Sequence, residues 1–261
     1  MPTPHVQYEE TGVIACVTFN RPEARNAMTW EMYEALGELC QRAEDTPDIR
    51  VLILRGAGGK AFVAGTDISQ FREFRSSQDG IAYEERLDAI IERLERVTIP
   101  TIAQIDGVAA GGGCAIAAAC DLRVCTPTSH FGVPIAKTLG NCLSAANYSR
   151  FLDLVGPTRL KEMLYTGRLI RADEALAAGL INQVVEPEDL DKTVIALAET
   201  IAANAPLTIR ATKEMIRRIQ AQRRLAATEG HDLITSCYTS LDFKHGVDAF
   251  LAKKKPQWQG K

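Results

Sequence analysis

The spacing of apolar positions predicts strands and helices in alternation along the first two thirds of the chain. Mainly apolar runs predict buried strands, at 13–19, 49–54 and 100–105. Apolar residues at helical spacing predict intervening helices, over 29–45 with Thr29 as N-cap, 68–74 and 83–97. The polar segment 75–80 is expected to be a mobile lid. This alternation is typical of the α/β class.

The pattern of predicted elements changes after about residue 188. Before that point, short strands at 122–125, 130–133 and 181–185 alternate with helices at 148–155, 159–166 and 173–180. From 189 onward only helical periodicity is present. We therefore divide the chain into a core over 1–188 and a helical region over 189–261.

Composition narrows the possible partners and location. The 261 residues include 46% hydrophobic and 24% charged residues, with a net charge of −3, so the chain can bury a core but offers no basic surface for nucleic acid or an anionic membrane. No apolar run approaches the ~20 residues of a membrane span, and the first residues do not form a secretory signal. Seven cysteines and four histidines lack metal-ligand spacing. We expect a cytoplasmic protein with free thiols and no metal site.

Two glycine-rich junctions between a strand and a helix are the candidate chemistry. Gly111, Gly112 and Gly113 precede an alanine-rich helix, and Ala64 and Gly65 follow the strand before the 68–74 helix. Such glycines can serve close helix packing, or they can let a ligand approach the unpaired amides of a helix N-terminus. Two junctions of this kind could aim two N–H groups at one oxygen, as an oxyanion hole requires.

The residues around both junctions resemble a known family. The segments concerned are Phe62-x-Ala64-Gly65-x-Asp67-Ile68, Asp106-Gly107-x3-Gly111-Gly112-Gly113-Cys114, Asn20-Arg21-Pro22-x3-Asn26-Ala27-Met28, Cys120-Asp121-Leu122-Arg123, Phe131-Gly132, Thr166-Gly167-Arg168 and Ala175-x3-Gly179-Leu180-Ile181-Asn182. Together they resemble the crotonase (enoyl-CoA hydratase/isomerase) superfamily. The resemblance implies an α/β spiral of ββα units with a C-terminal α-helical trimerisation region that covers the ligand of a neighbouring subunit. It also implies a homotrimer, or a homohexamer formed as a dimer of trimers.

The resemblance further implies an acyl-CoA substrate and no other cofactor. Its thioester enolate would be stabilised by the N–H groups of Thr66 and Gly112. The residues expected along the CoA moiety are Arg25, Ala27, Ala64, Asp67, Ile68, Phe250 and Lys253. Arg25 could equally be a solvated loop charge, and Asp67 could be the N-cap of its helix.

The chain departs from the family pattern at the groups that move protons. The hydratases of this family use two glutamates, and here Ala115 and Ile135 stand in their places. Neither side chain can transfer a proton, so the usual hydratase mechanism is not available.

The segment 137–144 contains possible substitutes for those glutamates. Cys142 could act as a nucleophile if Lys137 lowered its pKa, although a buried structural thiol is the more common role. Ser144 could be a nucleophile or a helix N-cap, and Asn141 could orient water or cap a turn. Three functions remain open: an enzyme of the hydratase/isomerase family acting on an unusual thioester, a thioester hydrolase or dehalogenase-like enzyme using this loop, and a non-catalytic acyl-CoA-binding or assembly protein.

Overall fold

A computed structural model describes residues 3–261, apart from the side chain of Ala227. Its strands are β1 (Val6–Thr11), β2 (Ile14–Phe19), β3 (Val51–Gly56), β4 (Ala61–Val63), β5 (Thr101–Ile105), β6 (Val108–Ala110), β7 (Leu122–Cys125), β8 (His130–Gly132), β9 (Ile170–Arg171) and β10 (Gln183–Val184). Its α-helices are α1 (Trp30–Asp45), α2 (Ser77–Glu95), α3 (Gly112–Ala119), α4 (Ile135–Thr138), α5 (Ala145–Thr166), α6 (Ala172–Ala177), α7 (Pro187–Ala202), α8 (Pro206–Ala221), α9 (His231–Tyr238) and α10 (Leu241–Leu251). A 3₁₀ helix spans Ile68–Glu73.

The strands form two sheets, and from β3 to β8 successive strands alternate between them. The larger sheet has the order β1-β2-β3-β5-β7-β10 and is parallel from β2 to β10, whereas the smaller sheet has the order β4-β6-β8-β9. Each repeat therefore gives one strand to each sheet before a helix leads to the next repeat. This is the expected α/β spiral of ββα units, followed by C-terminal helices.

Several short elements differ from the sequence predictions. Strands β4, β6 and β9 of the smaller sheet have two or three residues each, too few to show a period, and were not predicted. The segment 75–80 is not a free lid, because α2 already begins at Ser77. The Asp79 carboxylate accepts hydrogen bonds from the amides of Arg75 and Ser76 at 2.8 and 2.7 Å, which fixes the start of that helix.

The first two C-terminal helices behave differently from one another. Helix α7 buries Leu190, Val194 and Ala198 in a core with the larger sheet, so the proposed boundary at residue 188 stays a prediction. Helix α8 buries none of its side chains and exposes Leu207, Met215, Ile216 and Ile219.

Within residues 3–261 no single helix has the length and apolar character to cross a membrane, and the pair α7 and α8 meets the criterion only jointly, with a bend of 103°.

Helices α9 and α10 fold back over their own chain. Tyr238 and Phe243 meet Phe71, Phe74 and Tyr83 in an aromatic cluster with ring centroids 4.8 to 6.5 Å apart. Aromatic pairs at these separations stabilise a contact beyond the area they bury. In this structure the region covers a cavity of the same chain, and its expected contact with a neighbouring subunit's ligand stays a prediction.

Candidate active site

Two backbone amides at the glycine junctions are unpaired and lie on one cavity. The Met28 amide donates to the Gly65 carbonyl at 2.8 Å, and the Asp67 amide donates to the Met28 carbonyl at 2.9 Å. Because successive groups of an extended backbone point to opposite sides, the intervening Thr66 N–H points away from Met28. Gly112 is the first residue of α3, so its N–H has no acceptor within the helix. Among residues 3–261 no hydrogen bond uses either amide.

The glycines at the two junctions are required by backbone conformation and by close packing around the start of α3. Gly65 and Gly111 have φ of 121° and 52°, in the region that glycine adopts freely. A Cβ on Gly112 would lie 2.2 Å from the hydroxyl of Tyr33, and one on Gly113 would lie 2.0 Å from the Val63 carbonyl. The first two residues of α3, Gly112 and Gly113, therefore have no room for a side chain.

The cavity beside these amides has a volume of about 120 Å³. Of the predicted site residues, it is lined by Ala64, Thr66, Ile68, Gly112, Asn141 and Phe250. Ala115 and Ile135 also lie on its wall. The remaining lining is mostly apolar, so a ligand oxygen inside it would find few donors other than the two amides.

A chain of hydroxyl groups holds Thr66 in place. Its Oγ1 lies 2.9 Å from the hydroxyl of Tyr33 and 2.9 Å from the hydroxyl of Tyr83. Both tyrosines are buried, and this burial raises their pKa values above the ordinary value. They therefore stay neutral and position the Thr66 backbone without adding charge to the cavity.

Sequence reasoning missed Glu84, the carboxyl group on the cavity wall. The residue is 3% exposed. The Tyr238 hydroxyl donates to Oε1 at 2.5 Å, and the Ser144 amide donates to Oε2 at 3.2 Å. Burial raises the pKa of Glu84 to about 8, with the nearby Asp88 charge acting in the same direction and the two hydrogen bonds opposing it. The available signal was its position: Glu84 lies on the buried stripe of α2 with Gly80, Leu87 and Ile91.

Asn141 is the second polar group on this side of the cavity. Its Nδ2 donates to the Tyr238 hydroxyl at 3.1 Å, while its buried Oδ1 has no hydrogen-bond partner in the described residues. An unpaired buried acceptor is unfavourable unless a ligand or water satisfies it. Asn141 is thus available to a bound molecule.

The other candidates from the 137–144 segment do not line the cavity. Lys137 is exposed and lies beside Gly167. The Cys142 thiol faces Cys237, and hydrogen bonding with that thiol, together with burial, raises the pKa of Cys142 well above its ordinary range, which disfavours the thiolate. Ser144 is the N-cap of α5, where its Oγ accepts from the Asn147 amide at 3.2 Å. Catalytic roles for these three residues stay predictions that the geometry does not favour.

The residues expected along the CoA moiety lie where 25–28 meets 64–68. The Ala64 amide donates to the Arg25 carbonyl at 3.1 Å, and the exposed Arg25 has a φ of 52°. Asp67 caps the 3₁₀ helix and forms an ion pair with Arg21 at 2.8 Å. Although burial opposes them, hydrogen bonds from Ser69 and Arg21 lower the pKa of Asp67.

Two further residues of this group differ in position, because Ala27 belongs to the 25–28 segment and Lys253 lies outside it. The Ala27 carbonyl accepts from the Arg21 guanidinium at 3.1 Å. Lys253 is exposed, two residues beyond the end of α10. Roles for these residues in binding CoA stay predictions.

An α/β spiral that presents two unpaired amides to an apolar cavity defines a class of enzymes that stabilise an oxygen anion with backbone donors. A family model described as enoyl-CoA hydratase/isomerase matches residues 9–261. The chain belongs to the enoyl-CoA hydratase/isomerase family, the crotonase superfamily, and is an acyl-CoA enzyme of that family.

Individual relatives agree with this assignment. The chain is 35% identical over 252 residues to a short-chain-enoyl-CoA hydratase of Clostridium acetobutylicum, covering 96% of each protein. It is similar to the structure of an enoyl-CoA hydratase/carnithine racemase from Magnetospirillum magneticum, with a TM-score of 0.81, 34% identity and coverage of 100% and 97%. It is also similar to methylmalonyl-CoA decarboxylase in complex with 2-nitronate-propionyl-CoA, with a TM-score of 0.91, 28% identity and full coverage of both chains.

Proposed function

We propose that this enzyme binds a short-chain acyl-CoA with its thioester oxygen between the amides of Thr66 and Gly112 and stabilises the enolate that forms there. The observation that carries this proposal is the presence of two unpaired amides on the wall of one apolar cavity. A cavity of about 120 Å³ is somewhat smaller than the roughly 150 Å³ that holds benzene, so an acyl group of a few carbons fits best. The name of the relative from Clostridium acetobutylicum supports a short chain.

The CoA moiety is proposed to leave the cavity past Ala64, Ile68 and Phe250, which line it. Arg25, Ala27 and Asp67 would then lie along the pantetheine and nucleotide, and Lys253 would approach a phosphate. We propose no cofactor other than the CoA of the substrate.

Ala115 and Ile135 are proposed to stand where the family's hydratases have glutamates. Both lie on the cavity wall, and neither can accept or donate a proton. The paired-glutamate mechanism of hydration is therefore not available, and another group must move the proton. The hydrolase or dehalogenase-like alternative lacks a nucleophile at the cavity wall among Lys137, Cys142 and Ser144. A non-catalytic acyl-CoA-binding protein remains the third candidate.

Calorimetric titration with CoA and with butanoyl-CoA tests the proposal. We expect butanoyl-CoA to bind more tightly than CoA, because its acyl group fills the cavity. Absence of binding by either compound would remove the proposal. A panel of CoA esters then separates the alternatives: product with unchanged rates in Cys142→Ala and Lys137→Ala excludes the loop mechanism, whereas background rates for every ester would favour the non-catalytic protein.

We also propose that the protein is a homotrimer, which could pair into a homohexamer, and that it is cytoplasmic. The support for assembly is the exposed apolar face of α8, where Leu207, Met215 and Ile219 are 75%, 56% and 57% exposed. A contiguous apolar patch of this kind is typical of an interface. Sedimentation velocity should show a trimer or hexamer that Met215→Glu with Ile219→Glu dissociates; a monomeric unaltered protein would contradict this.

A further inference from the structure

We infer that Glu84 is the catalytic acid and base of this enzyme, taking a proton from the carbon next to the thioester carbonyl and returning it, with Tyr238 as its positioning residue. The inference rests on the proposed function, because it needs a thioester in the cavity. It adds a proton-transfer group on α2, away from positions 115 and 135.

The composition of the cavity wall is the first argument. Among the described residues that line the cavity, Glu84 is the only carboxyl group, and no histidine, lysine or cysteine is present. The carboxyl group belongs to the same small cavity as the two unpaired amides. A base in the same apolar space as an oxyanion hole can remove a proton while the charge develops on the thioester oxygen.

The hydrogen bonds of Glu84 are the second argument. Each carboxyl oxygen accepts one hydrogen bond, Oε1 from Tyr238 and Oε2 from the Ser144 amide. Each oxygen therefore keeps a lone pair for a substrate proton. The Tyr238 hydroxyl is fixed in turn by Asn141 Nδ2 at 3.1 Å. The carboxyl group is held in one orientation but is not saturated.

A single carboxyl group suits a reaction in which the proton only changes its carbon. For a but-3-enoyl thioester, the Glu84 carboxylate takes a proton from C2, and the C–H electrons form a dienolate whose oxygen accepts from the amides of Thr66 and Gly112. The carboxylic acid then gives the same proton to C4. The double bond between C3 and C4 moves to C2 and C3, and the carbonyl forms again. No water or redox partner is consumed, so but-3-enoyl-CoA is a suitable probe substrate for this role of Glu84.

Other titratable groups surround Glu84 and must be considered in any pH profile. They are Tyr83 and Asp88 on α2, Tyr238 and Cys237 on α9, and Cys142 and Tyr148 beside the start of α5. Burial raises the pKa values of Tyr83, Asp88, Tyr148 and Tyr238, whereas hydrogen bonding with Cys237, together with burial, raises the pKa of Cys142. The Cys142 thiol lowers the pKa of Cys237 to about 7, against the effect of burial. The cysteines are therefore changed to serine together in the background used for the pH measurements.

The test uses but-3-enoyl-CoA and follows formation of the 2-enoyl isomer by NMR. We expect Glu84→Gln to slow the isomerisation by about 10²–10⁴-fold, the usual contribution of a general base, while butanoyl-CoA still binds. Glu85→Gln is the matched control, because it makes the same exchange at the neighbouring, exposed position of α2, which does not line the cavity. It should retain turnover within a few-fold.

A pH profile of Tyr238→Phe gives a second measurement that does not depend on Glu84→Gln folding. The Tyr238 hydrogen bond lowers the pKa of Glu84, so its removal should move the rising limb of the rate, centred near pH 8 in the unaltered protein, to higher pH. Equal rates for Glu84→Gln and the unaltered protein would overturn the inference, and so would binding of but-3-enoyl-CoA without any isomerisation. Failure to bind any acyl-CoA would instead refute the proposed function.

Discussion

Burial of Glu84 should make the free energy of unfolding depend on pH in a way that one substitution removes. The ordinary pKa of the side chain is 4.5, and burial raises it to about 8 in the folded protein. Below pH 4.5 both states carry a protonated Glu84, and stability is fully present. As the pH rises, the unfolded chain ionises first, so stability is progressively lost until the folded group also ionises near pH 8.

The size of the effect follows from the difference between the two pKa values. A difference of about 3.5 units at 1.36 kcal/mol per unit is about 5 kcal/mol in total. Between pH 5 and pH 9 the loss is about 4 kcal/mol, because part of it has already occurred at pH 5. Glu84→Gln keeps the shape of the side chain but cannot ionise, so it should gain about 4 kcal/mol relative to the unaltered protein over this range.

Urea unfolding followed by circular dichroism at pH 5, 7 and 9, at one protein concentration, measures this difference. Glu199→Gln is the control, since it makes the same exchange at an exposed position on α7 and should leave the pH dependence unchanged. Parallel curves for Glu84→Gln and the unaltered protein, within about 1 kcal/mol from pH 5 to 9, would show that Glu84 is not desolvated and would refute the reasoning.

Four further substitutions have defined outcomes. Gly112→Ala places a Cβ 2.2 Å from the Tyr33 hydroxyl and should displace the Gly112 amide, so turnover in steady-state assays should fall by about 10²–10³-fold. Gly37→Ala is the control, because a Cβ there meets no atom within 4 Å. It should stabilise α1 by about 0.5–1 kcal/mol and leave turnover unchanged. Ser144→Ala removes the N-cap of α5 and should cost about 0.5–2 kcal/mol in urea unfolding; complete loss of turnover with intact binding would instead support a catalytic serine. Arg150→Met removes one of the two arginines that pair with Glu95, while Arg224 keeps its contact at 2.8 Å, and should cost about 1.5–3 kcal/mol; an unchanged unfolding midpoint would contradict this.

The sequence was informative where structure is determined locally. Buried strands such as β3 and β5 are mainly apolar, and Thr29 caps α1 as predicted. Strands β4, β6 and β9 of the smaller sheet were missed because two or three residues cannot display a period, although β4 and β6 carry the chain to the two glycine junctions. The break in α5 was predicted from Gly156 and Pro157, and Gly156 indeed has a non-helical φ of 69°.

The candidate site also combines residues that the sequence predicts with one that it does not. The amides of Thr66 and Gly112 depend on short glycine turns, and such turns leave a recognisable pattern in the sequence. Glu84 gains its character from burial and from Tyr238, which is 154 residues away along the chain. A local sequence pattern does not reveal a contact between residues so far apart along the chain. The sequence therefore did not identify Glu84 as a site residue.

This division suggests how the site can change its proton-transfer group while keeping its anion-binding half. The backbone donors belong to the spiral and cannot be exchanged by altering side chains. The remaining wall is made by α2, α4, the segment before α5 and Ala115 of α3, and it is closed by α10; a carboxyl group on any of these elements can face the same thioester. In this chain Ala115 and Ile135 have no such group, and α9 brings a tyrosine to the one carboxyl that α2 supplies. The C-terminal helices are therefore part of the reaction centre, because without Tyr238 the buried Glu84 would lose the side-chain donor that favours its ionised form.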